Sequence, residues 1–199
     1  MRSMLKRAAF AIGLVLTAPL VALARLEALL SASQACFVFG SQLLAIAPGW
    51  PGTVLRAAYY FGTLERCAWE VHVGFGTVFS QRAAALGPHA STGCYCVIGH
   101  ADIGSGVVMA SRVSVPSGRR QHVDEEGRFS AAARFERVSI GDRTWVGEGA
   151  IVMANVGERC VVSAGAVVLD AMPDGVLVAG NPARAVRALD PRFTGTGEA

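Results

Sequence analysis

Aliphatic or similarly sized side chains recur every six residues through the second half of this chain, with an occasional shorter step. The positions are Leu86, Thr92, Ile98, Ile103, Met109 and Val115, and then Ile140, Val146, Val152, Val156, Val162 and Val168. A period of six fits neither the turn of an α-helix nor the simple alternation of a strand. It is typical of a parallel β-helix, in which short flat strands are joined by tight turns and the aliphatic side chains fill the interior.

Glycine and other small residues hold fixed places within this repeat. Glycine follows the inward residue in Gly87, Gly93, Gly99, Gly104, Gly141, Gly147 and Gly157. A small residue stands four places after it in Ala90, Cys96, Thr144, Ala150, Cys160 and Ala166. We expect the small side chain where the wall turns, and glycine at a backbone position that a β-branched residue would resist.

The composition suits one solid domain with an apolar appendage. The 199 residues are 52% hydrophobic and only 17% charged, which indicates membrane contact or large subunit interfaces. The net charge of +3 is too small to indicate a nucleic-acid-binding protein, and no dense run of lysine and arginine is present in the sequence.

The five cysteines lack the spacing of a zinc site. Cys96 and Cys160 take the small position of the repeat, so packing explains them. Cys94 and Cys96 are two residues apart and could share a metal on one face of a strand, but two thiols alone make a poor zinc site. We therefore predict reduced structural thiols and no metal.

The first seventy residues contain three apolar segments. Basic residues precede an uncharged run from Ala8 to Ala24, which as a helix is at the short limit for crossing a bilayer. A second stretch, Ala35 to Ala47, is too short to cross alone, and Pro48 to Gly52 then breaks the chain. The third segment, Thr53 to Trp69, mixes aromatic residues with arginine, which suits a membrane–water boundary.

Three interpretations of the N-terminal region stay open. Its basic start, its apolar run and the sequence Ala22-Leu23-Ala24 fit a cleaved signal peptide. The same run fits a single membrane crossing, or a helical hairpin that enters one leaflet and returns. We favour the hairpin, with residues 1–70 as a helical membrane-associated segment.

The six-residue repeat stops after Val115 and resumes at Val138, so that a polar loop over 116–137 interrupts the coil. A loop of this length within a regular fold usually has a function. His122 is the histidine of this loop. An imidazole beside a rigid wall can accept and return a proton near neutral pH, which makes His122 a candidate catalytic residue.

Four segments carry a resemblance to a known family. They are Val138-Ser-Ile-Gly-Asp-Arg-Thr-Trp-Val-Gly, Val162-Ser-Ala-Gly-Ala-Val-Val, Ala179-Gly-Asn-Pro-Ala-Arg-Ala-Val-Arg and Ser117-Gly-Arg-Arg-Gln-His. On these residues the chain resembles the hexapeptide-repeat acyltransferases, in particular the O-acetyltransferases that modify sugars and bacterial exopolysaccharides. Its N-terminal region is similar to that of a membrane-associated branch of the family. The resemblance implies a mainly β protein, with a left-handed parallel β-helix over 71–187 and a C-terminal tail over 188–199.

The family's chemistry is the direct transfer of an acetyl group from acetyl-CoA to a hydroxyl or amine. The resemblance implies that His122 is the general base that takes the acceptor's proton. A carbonyl or a carboxylate would orient its ring, and Asp124 and Glu125 are the candidate carboxylates. Arg119-Arg120 stand where the sugar acetyltransferases can have a histidine-rich stretch.

In the family, acetyl-CoA binds as co-substrate in a groove between two subunits of a homotrimer. Carried over residue by residue, the binding positions are Trp145, Gly147, Ala164, Gly165, Arg184 and Arg187. Arginines suit the nucleotide phosphates because guanidinium forms paired hydrogen bonds with them. Leu169-Asp170 stand where the family often has Thr-Lys, so we expect cofactor affinity to depend more on the two arginines.

Other functions remain open on the sequence. The acceptor could be an amine, such as an amino-sugar, or the protein could be a membrane-docked β-helix scaffold without catalysis. A carbonic-anhydrase-like enzyme on this fold needs three histidines around zinc, two of them five residues apart, and the four histidines of this chain have no such spacing. Because the expected reaction uses a cytosolic co-substrate, we expect the chain at the cytoplasmic face of the bacterial inner membrane, acting on a lipid-linked glycan such as an exopolysaccharide or capsule precursor.

Overall fold

The computed structural model describes residues 2–124 and 126–190. Three helices come first: α1 (Arg2–Leu30), α2 (Ala35–Ala45) and α3 (Gly49–Thr63). Short strands follow from β1 to β16. Glu125 and most of the expected C-terminal tail, residues 191–199, lie outside the described residues.

The strands form three sheets that run along the molecule, and the chain visits them in turn. The first sheet contains β1 (Arg66–Cys67), β4 (Ala85–Leu86), β7 (Ala101–Ile103) and β10 (Val138–Ile140). The second contains β2 (His72–Val73), β5 (Ser91–Thr92), β8 (Val108–Met109), β11 (Trp145–Val146), β13 (Val161–Val162), β15 (Val176–Gly180) and β16 (Ala183–Ala188). The third contains β3 (Val78–Phe79), β6 (Val97–Ile98), β9 (Ser114–Val115), β12 (Ile151–Val152) and β14 (Val167–Val168). Every pairing within the sheets is parallel except the final hairpin of β15 and β16, so the predicted parallel β-helix is confirmed.

The interior of the β-helix consists of the residues that the six-residue period selects. Every one of the inward positions from Leu86 to Val168 is at most 2% exposed. The small residues four places later are equally buried. The repeat begins earlier than the six-residue series from Leu86, since Val73 and Phe79 are buried in the same way. The step from Phe79 to Leu86 is seven residues rather than six, which conceals the first coil in the sequence pattern.

The glycines that follow the inward residues are required by close packing between coils. A Cβ atom on Gly93 would lie 2.6 Å from the carbonyl carbon of Ala110 in the next coil. The left-handed backbone occurs at other glycines, in the turns, as at Gly165 with a φ of 68°. The repeat therefore uses glycine for two separate purposes, and the pattern of glycine after the aliphatic residue reports only the first.

The second and third helices close the N-terminal end of the β-helix. Tyr59 donates a hydrogen bond of 2.8 Å to the carbonyl oxygen of Phe37, and Tyr60 shares one of 2.7 Å with Ser41. The ring of Tyr60 packs on Phe79 of the first coil, 4.6 Å between centroids. These aromatic side chains cover the open end of the hydrophobic core, as the caps of repeat proteins do.

Arg56 lies inside this cap and is 1% exposed. Its Nε donates to the carbonyl oxygen of Val73 at 2.9 Å, and its Nη1 donates to those of Leu44 and Ala47 at 3.1 and 2.7 Å. The sequence suggested a membrane–water boundary for this mixture of arginine and aromatics, and that interpretation is wrong. The mixture is instead explained by a buried contact in which the guanidinium satisfies backbone carbonyls.

The helix boundaries also differ from those expected. The Pro48 to Gly52 stretch separates two helices, but α3 already begins at Gly49 because proline is well tolerated in the first turn of a helix. The helix ends at Thr63, and the first coil begins at Arg66 rather than after residue 70. The helical segment is therefore shorter than 1–70, and the β-helix correspondingly longer.

The first helix packs along α3 and leaves most of its own surface exposed. A Cβ on Gly13 would lie 2.9 Å from Val54, and one on Gly62 would lie 2.8 Å from Val21, so glycines allow the two helices to approach closely. By length and composition, residues 4–30 could cross a membrane. Large apolar side chains are exposed along it at Met4, Leu5, Ile12, Val15, Leu16, Leu23, Leu26, Leu29 and Leu30.

Candidate functional site

The loop over 116–137 connects β9 of the third sheet to β10 of the first, so it stands at the corner between those two sheets. At its start, the Ser117 hydroxyl accepts a hydrogen bond of 2.8 Å from the backbone N–H of His100. At its end, Arg137 forms two hydrogen bonds with Glu65 and donates from Nε to His100 Nε2 at 3.0 Å. The hydrogen bonds from Arg137 lower the pKa of Glu65 and keep this carboxylate charged. Both ends of the loop are thus fixed to the wall of the β-helix, and His100 has a structural role.

His122 lies within the loop with its ring exposed. Its Nδ1 is 3.3 Å from the carbonyl oxygen of Ser130, and its ring stacks on Phe129 with 6.1 Å between centroids. A carbonyl oxygen only accepts hydrogen bonds, so this contact favours the tautomer with the proton on Nδ1. In that tautomer Nε2 carries the free lone pair, which is the state a general base needs.

The carboxylate of Asp124 is used elsewhere in the loop. It accepts hydrogen bonds from the backbone N–H and from Nε of Arg128, at 2.7 and 3.0 Å. These bonds, that from the Arg128 backbone first, lower the pKa of Asp124. The group that faces the His122 ring is the carbonyl of Ser130, which no sequence motif marks.

Asp170 joins the start of the loop to the C-terminal hairpin. Its carboxylate is 3.2 Å from Arg119 Nη1 and 3.3 Å from Arg184 Nη1. The Leu169 carbonyl also accepts a hydrogen bond of 3.2 Å from Arg119. The acid that stands where the family often has lysine therefore holds two arginines, one of them a predicted cofactor residue. Arg184 remains largely exposed.

Trp145, Gly147, Ala164 and Gly165 come together on adjacent coils. Trp145 projects from the second sheet and is 47% exposed. The backbone N–H of Gly147 donates a hydrogen bond of 2.7 Å to the carbonyl oxygen of Val162. A Cβ on Gly147 would lie 2.5 Å from the backbone nitrogen of Ala164. The space around Gly165 is open, because a Cβ on this residue would meet no described atom within 4 Å. A flat extended chain could lie against the backbone at Gly165, beside the exposed side chain of Glu148.

Arg187 is exposed on β16 and donates a hydrogen bond of 3.4 Å to the carbonyl oxygen of Ala188. Within the part of the chain that the structure describes, it forms no ion pair. Its guanidinium is therefore available to an anion.

His122 and Trp145 do not meet within one chain. The loop stands at the corner between the third and first sheets, whereas Trp145 projects from the second sheet on the opposite side of the three-sided coil. Trp145, Gly147, Ala164 and Gly165 thus form one group, and the predicted base stands apart from Trp145. Arg184 is joined through Asp170 to Arg119 of the loop that carries the predicted base.

The cysteine positions agree with structural thiols. Cys94 lies in a turn and Cys96 is buried beneath it, with Sγ 3.2 Å from the carbonyl oxygen of Ala110, so the two do not share a face of a strand as expected. Burial raises the pKa of Cys67 to about 12, which keeps that thiol protonated. Among the described residues no group of three or more potential metal ligands comes together.

Solved structures similar to this chain include several acetyltransferases. A maltose O-acetyltransferase from Clostridium difficile 630 superposes with a TM-score of 0.68 and 20% identity, over 77% of this chain and 85% of that one. A galactoside acetyltransferase in complex with coenzyme A superposes with a TM-score of 0.65 and 19% identity, over 80% of this chain and 83% of that one. A hexapeptide-repeat acetyltransferase from Vibrio cholerae superposes with a TM-score of 0.60 and 20% identity, over 77% of this chain and 89% of that one. This chain has the hexapeptide-repeat acetyltransferase fold.

Sequence relatives of this hexapeptide-repeat chain are found among eukaryotic proteins. A presumed acetyltransferase of Saccharomyces cerevisiae is 35% identical over 69 residues, which are 34% of this chain and 35% of the yeast protein. A presumed acetyltransferase of Schizosaccharomyces pombe is 32% identical over 90 residues, 44% of this chain and 43% of that protein. The chain thus spans less than half the length of the curated relatives that it matches. No family model matches the sequence.

Proposed function

We propose that this chain transfers an acetyl group from acetyl-CoA to a hydroxyl of a membrane-linked glycan, an exopolysaccharide or capsule precursor, with His122 as the general base. The observation that carries the proposal is the tautomer of the His122 imidazole in the loop over 116–137. Nδ1 faces the Ser130 carbonyl at 3.3 Å and Nε2 is left with a free lone pair. The fold of the sugar acetyltransferases supports the choice of a hydroxyl as acceptor.

The proposed step is a direct transfer. The acceptor hydroxyl oxygen attacks the thioester carbonyl carbon while His122 Nε2 takes the hydroxyl proton. The carbon–sulfur bond then breaks, and the proton passes from the imidazole to the leaving coenzyme A thiolate. Negative charge that develops on the thioester oxygen needs a fixed donor, and the backbone N–H groups at the coil corners are the available donors of that kind.

The corner formed by Gly147, Ala164 and Gly165 would hold the extended arm of the co-substrate, with Trp145 beside it. The support is steric, because the coils pack closely at Gly147 and a Cβ on Gly165 would meet no described atom within 4 Å. The exposed ion pair of Glu148 with Arg112 lies at the same corner and would border the arm. Arg184 and Arg187 would bind the phosphates, since both guanidinium groups are exposed close to this end of the second sheet.

We further propose that the active enzyme is a homotrimer with a site at each subunit boundary. Within one chain His122 and Trp145 lie on opposite sides of the coil, so a site that uses both requires a second copy. Closed rotational symmetry then gives each protomer the same pair of boundaries.

Membrane attachment through α1 is part of the proposal, at the cytoplasmic face where acetyl-CoA is available. The exposed apolar side chains of α1 support it, as does the close packing of α1 on α3. Since α3 is fixed to the first coil by Arg56, this packing favours a helix lying along the membrane surface over one that crosses it.

The test is release of free thiol from acetyl-CoA, together with the mass of the product, across a panel of glycans. His122→Gln should lower the turnover by at least about 100-fold, because general base catalysis contributes on that order. Arg128→Gln is the matched control, since it changes an exposed side chain of the same loop and should leave turnover nearly unchanged.

Two outcomes would contradict the proposal. Equal rates in wild type and His122→Gln would exclude the base, and an absence of thiol release with every acceptor would favour a scaffold. If acetylated product formed only with amino-sugars and carried the acetyl group on nitrogen, the acceptor group would be an amine and not a hydroxyl.

A further inference from the structure

We propose that a cleft between the helices and the first coil binds the phosphate and the first isoprene units of a polyprenyl-phosphate-linked acceptor; the inference rests on the proposed function. The cleft has a volume of about 680 Å³, within the usual range for small-ligand sites. It lies between α1, α3 and the first two coils, and no part of the repeat pattern predicts it. Its lining comes from separate segments and includes Lys6, Phe10, Trp50, Trp69, Glu70 and His72.

One wall of the cleft is aromatic. Phe10 packs edge-on against Phe61, with 5.5 Å between centroids, and lies 6.1 Å from Trp69. Trp50 is largely exposed beside them. Phe10 belongs to α1, the helix whose exposed apolar side chains are proposed to contact the membrane, so a membrane-bound helix would also form part of the cleft.

The polar lining of the cleft includes one lysine and two histidines, Lys6, His72 and His89. Lys6 forms no ion pair with a described residue, so its ammonium group is available to a phosphate. The guanidinium of Arg7, which is not part of the lining, lies 5.5 Å above the ring of Trp69. Burial, and then the charge of Arg56, lowers the pKa of His72, so its imidazole is neutral near pH 7 and offers a hydrogen-bond donor. Glu70 is the one acid among the described lining residues.

The cleft is connected to the proposed co-substrate site by the second sheet. His72 begins an outward-facing column of paired residues that runs through Ser91 and Val108 to Trp145. Three strand spacings separate the two ends, which is about 14 Å. A phosphate held near His72 would therefore leave the attached sugars lying along this sheet toward Trp145. The aromatic side chains, the lysine and this path together fit a lipid phosphate that carries a glycan better than a free sugar.

The test measures binding of radiolabelled farnesyl phosphate to the full chain in phosphatidylcholine nanodiscs. We expect the wild type to bind it, and Lys6→Gln/His72→Gln to bind at least tenfold more weakly. Arg66→Gln, which removes an exposed cation from the first sheet, is the control and should bind as the wild type does. Farnesol and inorganic phosphate should compete poorly, because each carries only half of the recognised structure.

Equal binding by the double variant and the wild type would overturn the proposal. Competition by phosphatidylglycerol as effective as that by unlabelled farnesyl phosphate would also overturn it, since the cleft would then be a general phospholipid site. A kinetic arm separates this inference from the proposed function. The double variant should raise KM for a polyprenyl-phosphate glycan and leave kcat and the rate on free sugar unchanged. If no acetyl transfer is found at all, the binding measurement still decides about the cleft.

Discussion

At the scale of single residues, the position of the loop over 116–137 depends on a few polar contacts at its ends. Asp170 is the most informative, because one carboxylate holds Arg119 at the start of the loop and Arg184 on the last hairpin. All three side chains are substantially exposed, and exposed ion pairs each contribute little to global stability. The contact should therefore matter for local order of the loop more than for unfolding of the protein.

Asp170→Asn tests this role. We expect the free energy of unfolding to change by less than about 1 kcal/mol, since the lost pairs are exposed. Cleavage by trypsin within the loop, at Arg119 and Arg120, should become several-fold faster because the loop opens more often. Glu148→Gln, which removes the exposed pair with Arg112 at another corner, is the control. An unchanged cleavage rate in Asp170→Asn would show that the loop is held by its other contacts alone.

At the scale of elements, the helices and the β-helix form one unit because α3 is joined to the first coil through buried hydrogen bonds. Arg56 satisfies carbonyl groups from β2 and from the end of α2, and the tyrosines beside it cover the core. A buried guanidinium is costly to place and costlier to remove once carbonyls depend on it.

Arg56→Met should therefore lower the free energy of unfolding by about 2 to 4 kcal/mol, as measured by urea denaturation, because a buried carbonyl left without a donor costs about 1 to 3 kcal/mol. Methionine keeps much of the side-chain volume but leaves the carbonyls of Val73 and Ala47 without the Arg56 donor, whereas that of Leu44 still accepts from the Ala47 N–H. Arg66→Met removes an arginine whose side chain is 67% exposed, and it should cost less than about 1 kcal/mol. Equal losses in the two variants would mean that the guanidinium of Arg56 is not a buried structural link.

At the scale of the whole molecule, the exposed surface of α1 is the feature that a soluble monomer least explains. Apolar side chains cover it on the side away from α3, and contiguous patches of this kind mark interaction sites. A flat contact with lipid would leave the β-helix in the aqueous phase.

Val15→Glu/Leu16→Glu tests the lipid contact. Each side chain contributes about 1.5 kcal/mol or more on transfer from water, so partition onto phosphatidylglycerol vesicles should fall by at least about 100-fold in sedimentation. The control is Val97→Glu, an exposed apolar residue of the third sheet that should leave partition unchanged. A double variant that still pelleted with vesicles would exclude α1 as the contact.

A second test at this scale concerns the proposed trimer. If His122 comes from one protomer and Trp145 from its neighbour, mixed trimers of His122→Ala and Trp145→Ala chains contain some boundaries with both residues intact. With random assembly about a quarter of the boundaries are intact, and activity should recover to that fraction of wild type. Turnover that stayed at the level of the separate variants would place both residues in one chain.

The fold could be predicted from the sequence because every coil repeats the same residue pattern. Aliphatic residues every six positions, with small residues at the corners, are buried together when the chain coils as a β-helix. The inward residues from Leu86 to Val168 are buried as expected. The interruption of the repeat likewise located the loop that carries His122. These are local regularities, and a one-dimensional repeat makes local information sufficient.

What the sequence could not provide are the contacts that join distant segments. The arginine and aromatics of α3 looked like membrane-boundary residues, and only their burial against the first coil identified them as a cap. The carbonyl that faces His122, the two arginines on Asp170 and the lining of the cleft are further cases, since their members are separated by eight to more than fifty residues. The six-residue period determined which side of each strand faces inward. The stacking of coils and the docking of helices decided which side chains meet across the outer surface. Only the tertiary structure shows these contacts, because neither process produces a periodic pattern in the sequence.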